Sequence, residues 1–189
     1  MDSDNHLPFK TPAHLEKWLR KNHDSADELW VKIYKKDSGV PSVTWDDCVV
    51  ACIAWGWIDG LKRSLDDDAY LQRVTPRRAK SKWSKRNREH AQRLIKEGRM
   101  QEPGLAQVEA AKSDGRWDEA YAGSADLEIP DDFYKALKKN RAAKKFFETL
   151  NRANLYAIYY RLHSAKRPET KARRIASIVE MLAKGETFH

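Results

Sequence analysis

The segment WGWIDGLKRSLDDDAYLQRVTPRRAKSKWSKRNREHAQRLIKEG, residues Trp55–Gly98, decides the fold that we predict for this chain. Two short segments, Trp57–Arg63 and Ala69–Thr75, flank a polar turn with three consecutive aspartates, which is typical of a β-hairpin. Pro76 has no amide hydrogen and therefore ends the second strand. The following residues predict an arginine-bearing loop and then a basic amphipathic helix that begins between Ser81 and Ser84.

The residues before the hairpin predict a third strand and two helices. Leu29–Lys36, LWVKIYKK, alternates between two faces and therefore predicts a strand with one wetter face. Thr11 and Thr44 are predicted to precede helices, the first with Pro12 at its first position and the second with aspartates in its first turn. The predicted fold class is α+β, with a small antiparallel sheet of about three strands packed with helices.

The C-terminal part of the chain is predicted to be helical. Apolar residues recur at helical spacing in four segments, residues 131–139, 141–149, 151–165 and 168–185. Arg116–Pro130 is the best candidate for a linker, because Gly123–Asp126 combines small and polar residues. We therefore predict an α+β subdomain over residues 1–122 and a closely packed helical subdomain over residues 123–189. A single structural unit is the alternative.

The basic charge of the chain lies in one segment. Ten of the residues Arg77–Arg99 are Lys or Arg and two are Glu, so this segment has a formal charge of +8, equal to that of the whole chain. A localised positive field attracts phosphate-bearing partners and speeds encounter with them. A solvated helix face that keeps the protein soluble is the alternative interpretation.

Composition limits the classes of protein that fit. The 189 residues are 41% hydrophobic and include seven Trp, which argues against disorder. No apolar run approaches the roughly 20 residues that span a bilayer. Met1–Phe9 does not resemble an export signal and is predicted to be a loosely held lead-in. Cys48 and Cys52 suit buried thiols in a reducing compartment better than a metal or redox pair. We therefore expect a cytoplasmic protein with no cofactor and no bound metal.

The loop supplies candidate ligand-binding arginines. Arg73 lies at a predicted strand end, and Arg77 and Arg78 lie beside a predicted helix N-terminus. Guanidinium groups and free helix amides both suit phosphate oxygens, so these residues are predicted to converge on an anionic or phosphorylated ligand.

Residues on either side of the loop extend the predicted site. Trp83 is predicted to form a wall of the pocket, with Ser84 next to it. Asn87 falls on the apolar side of the helix, where its amide is bonded either to the backbone or to a ligand that it orients. Asp59 is a candidate ligand residue or, alternatively, the ion-pair partner of one of the arginines.

Two other functions stay open. A sequence-nonspecific nucleic-acid surface on the basic helix is the first, and it uses Lys85, Arg86, Arg88, Arg93 and Lys96. An enzyme with a general acid or base at Asp59 is the weaker one, because the six histidines lack metal-binding spacing and no nucleophile has an evident base. We assign no catalytic residue, and we expect an anionic small molecule or a nucleic acid as partner.

Four stretches together resemble one bacterial family. They are WGWIDG (Trp55–Gly60), YLQRVTPRR (Tyr70–Arg78), SKWSKRN (Ser81–Asn87) and AKRPETKARRI (Ala165–Ile175). In combination they resemble the YdeI/OmpD-associated proteins, often labelled bacteriocin-protection proteins. The resemblance extends from about Leu29 to Phe188, nearly the whole chain. Trp55 stands where the family usually has Tyr, which is a conservative difference.

The resemblance implies a role in resistance to stress or bacteriocins, and the family's name implies association with an outer-membrane porin. It implies no catalytic role for its motif positions, which in this chain are Asp59, Arg73, Thr75, Pro76, Arg77, Trp83, Ser84, Asn87, Lys166, Arg167, Pro168, Glu169, Arg173 and Arg174. Lys166, Arg167, Arg173 and Arg174 form a secondary basic cluster. We predict that Lys171 and Arg174 pair with acidic residues of the first subdomain, with direct ligand contact as the alternative.

Overall fold

The computed structural model describes residues 6–123 and 127–189, and its fold class is α+β, as predicted. The chain divides into two compact units, unit 1 over Met1–Ala120 and unit 2 over Tyr121–His189. Residues 1–5 of the predicted lead-in and residues 124–126 of the predicted linker lie outside the described residues. Unit 1 contains the sheet, and unit 2 contains the C-terminal helices.

The sheet of unit 1 has four strands among the described residues, one more than predicted. The strands are β1 (His6–Pro8), β2 (Leu29–Tyr34), β3 (Trp57–Ser64) and β4 (Ala69–Pro76), in the order β1-β2-β4-β3. β1 pairs in parallel with β2, so the sheet is not purely antiparallel and part of the predicted lead-in is a strand. Three residues that include Pro8 are too few to show an alternating pattern, which is why the sequence did not predict β1.

The hairpin of β3 and β4 contains an irregularity between Asp59 and Lys62, where the register shifts. Gln72 of β4 is 2% exposed, and its side-chain amide donates to the carbonyls of Gly60 at 3.1 Å and Leu61 at 3.3 Å. A buried amide requires hydrogen-bond partners, and here it finds them in the irregular backbone of β3. Gln72 therefore fixes the part of β3 that follows Asp59.

The described part of unit 1 has four helices and a short 3-10 turn, Lys36–Ser38. The helices are α1 (Pro12–Asn22), α2 (Trp45–Ala54), α3 (Lys85–Lys96) and α4 (Glu102–Ser113). Thr44 caps α2 in a capping box. Its hydroxyl accepts from the Asp47 amide at 3.1 Å, and the Asp47 carboxylate accepts from the Thr44 amide at 2.8 Å. Ser84 caps α3, so that helix begins at Lys85.

Helix α2 lies at the centre of the core of unit 1. It packs against α1, α3, α4 and β3, and most of its side chains are buried. Gly104 lets α4 approach the end of α2, because a Cβ there would lie 2.4 Å from the Ala54 carbonyl oxygen and 2.6 Å from that of Ile53. The Gln101 amide also donates to the Ala54 carbonyl at 3.1 Å. Backbone therefore meets backbone between these two helices.

The described part of unit 2 contains four helices close to the predicted ones, α5 (Asp131–Lys138), α6 (Arg141–Phe147), α7 (Arg152–His163) and α8 (Pro168–Ala183). The C-terminal tail returns to α7 at the buried side chain of Asn154. This side chain accepts from the amides of Phe188 at 3.0 Å and His189 at 3.2 Å, and it donates to the His189 carbonyl at 3.3 Å. Within the described ranges, no helix is both long and apolar enough to cross a membrane.

Candidate anion-binding site

Arg77 and Trp83 form a stacked pair at the base of the basic loop. The guanidinium carbon of Arg77 lies 3.8 Å from the centre of the Trp83 ring, and Nη1 of Arg77 donates to the Lys82 carbonyl at 3.3 Å. Arg77 is 6% exposed and Trp83 is 1% exposed. The structure thus brings these two predicted site residues together, but as a buried pair that supports the loop.

Trp83 also packs against Trp117, in an edge-on contact of the two indole rings. Their indole rings lie 5.0 Å apart at 62°, and Trp83 Nε1 has no hydrogen-bond partner among the described residues. Arg88 Nη1 donates to the Trp117 carbonyl at 2.9 Å, and Arg116 Nη1 donates to the Ser81 carbonyl at 2.9 Å. The segment around Trp117 therefore fixes the basic loop and the start of α3 by hydrogen bonds and by the ring contact with Trp83. No sequence spacing connected Trp117 to the loop, so sequence reasoning missed it.

The tip of the loop is a turn that leaves its cations at the surface. The Arg78 amide donates to Ser81 Oγ at 3.0 Å, and the Ser81 amide donates to the Arg78 carbonyl at 2.8 Å. The side chains of Arg78, Lys80 and Lys82 are exposed. Arg78 is therefore accessible to a ligand, unlike Arg77.

Ser84 and Asn87 lie at the start of α3. Ser84 Oγ accepts from the Asn87 amide at 3.1 Å, which satisfies one of the free amides at the helix N-terminus. The first turn contains Lys85 and Arg86 and no acidic residue. The half-buried side-chain amide of Asn87 has no hydrogen-bond partner in the part of the chain that the structure describes.

Arg73 and Asp59 have partners outside the loop. Arg73 Nε donates to the Glu28 carboxylate at 2.7 Å in a partly exposed ion pair. Asp59 Oδ2 accepts from the indole N–H of Trp45 at 3.2 Å. Arg73 thus has a carboxylate that competes with an anionic ligand. The described hydrogen bond of Asp59 is to a tryptophan and not to an arginine.

An ionic cluster that we did not predict joins the start of α2 to α3. Arg86 Nη2 donates to Asp46 at 2.6 Å, and its guanidinium carbon lies 4.7 Å from the centre of the Trp45 ring. Arg86 Nε donates to His90 Nε2 at 3.3 Å, and Arg93 Nη2 lies 3.2 Å from His90 Nδ1. Burial lowers the pKa of His90, Asp46 opposes that change, and Arg93 and Arg86 add to it. The i, i+4 spacing of Arg86 and His90 is the sequence signal for this cluster.

Cys48 and Cys52 are buried free thiols of α2. Burial, with smaller effects of Asp47 and Asp59, raises the pKa of Cys48 to about 12. Burial also raises the pKa of Cys52. A thiol that keeps its proton is a poor nucleophile and a poor metal ligand. Within the described ranges, no group of His, Cys, Asp and Glu is arranged to hold a metal ion.

The secondary basic cluster at the start of α8 is not uniform. Lys166, Arg167 and Arg173 are exposed, and Arg167 is the N-cap residue of α8. Arg174 is half-buried. Three of the four cations of the cluster are therefore exposed to solvent, and the fourth, Arg174, is only partly exposed.

The prediction that Lys171 and Arg174 pair with acidic residues of the first subdomain is wrong, because their described partners lie in unit 2. Lys171 pairs with Asp132 at 2.6 Å, within unit 2. Arg174 Nη1 donates to the Arg161 carbonyl and, at 2.9 Å, to Ser164 Oγ. Both side chains therefore stabilise unit 2 itself.

Two cavities of ligand size lie in unit 2. One of about 540 Å³ is lined by Arg161 and Arg174, and one of about 620 Å³ is lined by Asp132, Lys166 and Lys171, among others. Arg161 was missed because the sequence of α7 indicates a core helix and gives no sign that two arginines on neighbouring helices meet.

Comparison with known protein families gives two matches. Residues 7–107 match a family described as a domain of unknown function, DUF8412. Residues 126–185 match the family described as bacteriocin-protection, YdeI or OmpD-associated, which confirms the predicted resemblance for that part of the chain. No curated protein and no solved structure matches the chain.

Proposed function

The chain belongs to the DUF8412 family, and we propose that it is a non-enzymatic resistance factor that binds a phosphate-bearing ligand through the exposed cations of its basic loop and α3. The description of the second matched family, bacteriocin protection, supports the resistance role. The charge of residues Arg77–Arg88 and the exposure of Arg78, Lys80 and Lys85 support the binding role.

The observation that carries the proposal is a run of cations at the surface. Seven of the twelve residues Arg77–Arg88 are Lys or Arg, and none is acidic. Arg78, Lys80 and Lys85 are exposed, and no carboxylate among the described residues pairs with them. Because nothing in the described structure cancels their charge, these three side chains attract phosphate groups.

The start of α3 strengthens this attraction. Its first turn contains the exposed Lys85 and no acidic residue, so the partial positive charge of the helix N-terminus adds to that of Lys85. Arg86 of the same turn contributes less, because it is paired with Asp46. Like charges at this end disfavour the first turn in the free protein. A bound phosphate offsets that repulsion.

Arg77 has a supporting role in this proposal. Because it is buried against Trp83, it holds the loop in place, and the ligand contacts fall to the exposed cations around it. An open surface suits a ligand that carries several phosphates. A sequence-nonspecific nucleic-acid surface on the basic helix is the alternative function, and it shares Lys85 with the surface proposed here. Its cations are Lys85, Arg86, Arg88, Arg93 and Lys96.

The test compares two probes and two matched variants. The probes are pyrophosphate, followed by calorimetry, and a fluorescein-labelled single strand of about 20 nucleotides, followed by anisotropy, each at about 50 mM and about 200 mM salt. The loop variant replaces three exposed cations by alanine: Arg78, Lys80 and Lys85. The control variant removes the same charge from exposed positions of unit 2: Lys138, Lys139 and Lys144.

We expect the loop variant to bind at least about tenfold more weakly than the parent chain, and the control variant to bind almost as the parent does. Pyrophosphate binding that persists at the higher salt supports the small-ligand function, and binding of the oligonucleotide alone supports the alternative. Equal losses in both variants, or no binding of either probe at low salt, contradict the proposed surface.

A further inference from the structure

A cavity of about 540 Å³ in unit 2 is lined by residues of α7, α8 and the C-terminal tail. Two of its lining residues are arginines, Arg161 and Arg174, and three carry hydroxyl groups, Tyr160, Ser164 and Ser177. None of the lining residues is acidic within the described part of the chain. This set of cationic and hydroxyl donors favours an anion.

Arg174 is fixed by one end of its guanidinium group. Nη1 donates to the Arg161 carbonyl, which also accepts from the Ser164 hydroxyl at 3.1 Å, and to Ser164 Oγ. Nε and Nη2 have no hydrogen-bond partner among the described residues. Two parallel N–H donors on a fixed guanidinium match two oxygens of a carboxylate or a phosphate.

Arg161 is fixed by α7 and by the tail. Its Nη1 donates to the Ala157 carbonyl at 3.2 Å, and its guanidinium carbon lies 3.8 Å from the centre of the Phe188 ring. Phe188 is itself held, because its amide donates to the buried Asn154 at 3.0 Å. Both arginines are therefore preorganised, which lowers the conformational entropy lost when a ligand binds.

The larger cavity of unit 2 has a different charge balance. It is lined by Asp132 and Lys171, which form an ion pair at 2.6 Å. The hydrogen bond from Lys171 lowers the pKa of Asp132, which keeps that carboxyl ionised. Because a cation of the larger cavity already has a counter-ion, the cavity of Arg161 and Arg174 is the stronger site for an anion.

We propose that the cavity of Arg161 and Arg174 binds a small organic anion. Its carboxylate or phosphate is bound by the two guanidinium groups, and its apolar part packs against Ile178 and Phe188. The volume falls within the roughly 300–1,000 Å³ typical of small-molecule sites and leaves room for more than an inorganic phosphate. The site is argued from unit 2 alone and does not depend on the function proposed for the basic loop.

The test uses the full chain and simple probes. Phenyl phosphate and benzoate share an apolar ring and differ in the oxyanion, inorganic phosphate lacks the ring, and benzylamine reverses the charge. Binding is measured by calorimetry at about 150 mM salt, where exposed charges are largely screened. The Nε–H signals of the arginines, followed by nuclear magnetic resonance, locate the bound probe.

Three variants separate ligand binding from folding. Arg174→Lys keeps the charge and removes the guanidinium fork. Ser177→Phe fills the cavity from an exposed position of α8 and removes no hydrogen bond described there. Arg173→Gln is the matched control, because Arg173 is an exposed neighbour on α8 that does not line the cavity.

We expect one phenyl phosphate or benzoate per chain, weaker binding of inorganic phosphate and no binding of benzylamine. Affinity for the ring-bearing probes falls at least about tenfold in Arg174→Lys and Ser177→Phe and stays unchanged in Arg173→Gln. The stronger of the two ring-bearing probes identifies the oxyanion that the site prefers.

Three results overturn the proposal. The first is that none of the anionic probes binds the parent chain. The second is that Ser177→Phe, with the same melting temperature as the parent, binds as tightly. The third is that the probes lose affinity only in the alanine variant of Arg78, Lys80 and Lys85. That result would assign the binding to the basic loop.

Discussion

The guanidinium carbon of Arg77 lies 3.8 Å above the ring of Trp83, and this contact removes the central arginine of the basic loop from the surface. A cation at this distance from an indole face is attracted by the ring quadrupole, and burial strengthens that attraction. The charge of Arg77 therefore contributes to the stability of the loop, while its neighbours Arg78 and Lys80 keep their charge at the surface.

Replacing Arg77 by alanine is expected to lower the free energy of unfolding by about 2–4 kcal/mol, because the stacking on Trp83 and the bond to the Lys82 carbonyl are lost together. The exposed Arg78→Ala variant serves as control, with a change within about 0.5 kcal/mol. Urea denaturation measures both. Equal effects of the two substitutions would show that the stacked pair adds no stability.

The salt dependence of oligonucleotide binding is expected to change with the loop cations. The slope of log K against log salt concentration is negative. If Arg78, Lys80 and Lys85 each contact a phosphate, their joint replacement by alanine makes this slope less negative by about 2. Anisotropy titrations at four or more salt concentrations measure this slope. A weaker affinity at an unchanged slope contradicts direct phosphate contact by these side chains.

Acid is expected to destabilise unit 1 through His90. The pKa of His90 is lowered in the folded protein from its ordinary value of 6.5, mainly by burial, so the unfolded chain binds the proton more readily. Stability is therefore unaffected by this group well above pH 6.5 and decreases as the pH falls below it. His90→Gln should reduce the loss of unfolding free energy between about pH 7.5 and about pH 5.5.

The control for this pH effect is His14→Gln, which changes an exposed histidine of α1. Urea denaturation at both pH values gives the unfolding free energies of the parent and the two variants. If His90→Gln loses as much stability on acidification as the parent, another group causes the acid effect.

The thiols of Cys48 and Cys52 are expected to resist alkylation in the native protein. Burial raises the pKa of both thiols and also shields them, so at about pH 8 they are protonated and inaccessible. A colorimetric thiol reagent should detect two thiols per chain in denaturant and almost none in its absence. Rapid stoichiometric reaction of the folded chain would mean that α2 opens easily.

Gly104→Ala is expected to destabilise unit 1 by about 2 kcal/mol or more, because the added Cβ meets the carbonyls of Ala54 and Ile53 and α4 must move away from α2. Gly123→Ala is the control, since apart from its chain neighbours no atom of the described residues lies within 4 Å of a Cβ at that position. Chemical denaturation distinguishes the two. A stability of Gly104→Ala equal to that of the control would show that the helices separate at little cost.

Elements with strong local signals were predictable from the sequence. Thr44 and Asp47 form the capping box that begins α2, and Pro168 stands at the start of α8 where its missing amide does no harm. These features depend on residues within one or two turns. β1 escaped prediction because its pairing with β2, more than 20 residues away, is its main structural support.

The candidate site was less predictable, because the exposure of an arginine depends on distant residues. Trp83 is covered on one side by Trp117, and Arg174 is fixed by Ser164 at the end of a different helix. Charge counting placed the basic segment correctly in the sequence, but it could not show that Arg77 is buried and Arg78 exposed. Only tertiary contacts separate these two neighbours.

The contact of Trp83 with Trp117 also gives the loop a spectroscopic signal of its own. Two indole rings 5.0 Å apart and inclined at 62° couple their electronic transitions, so the pair contributes its own circular dichroism band. The difference between the spectra of the parent chain and a Trp117→Phe variant contains that band together with the signal of Trp117 itself, while the signals of the distant tryptophans cancel. The protein thus has a built-in optical label that reports on the conformation of its basic loop without any attached dye.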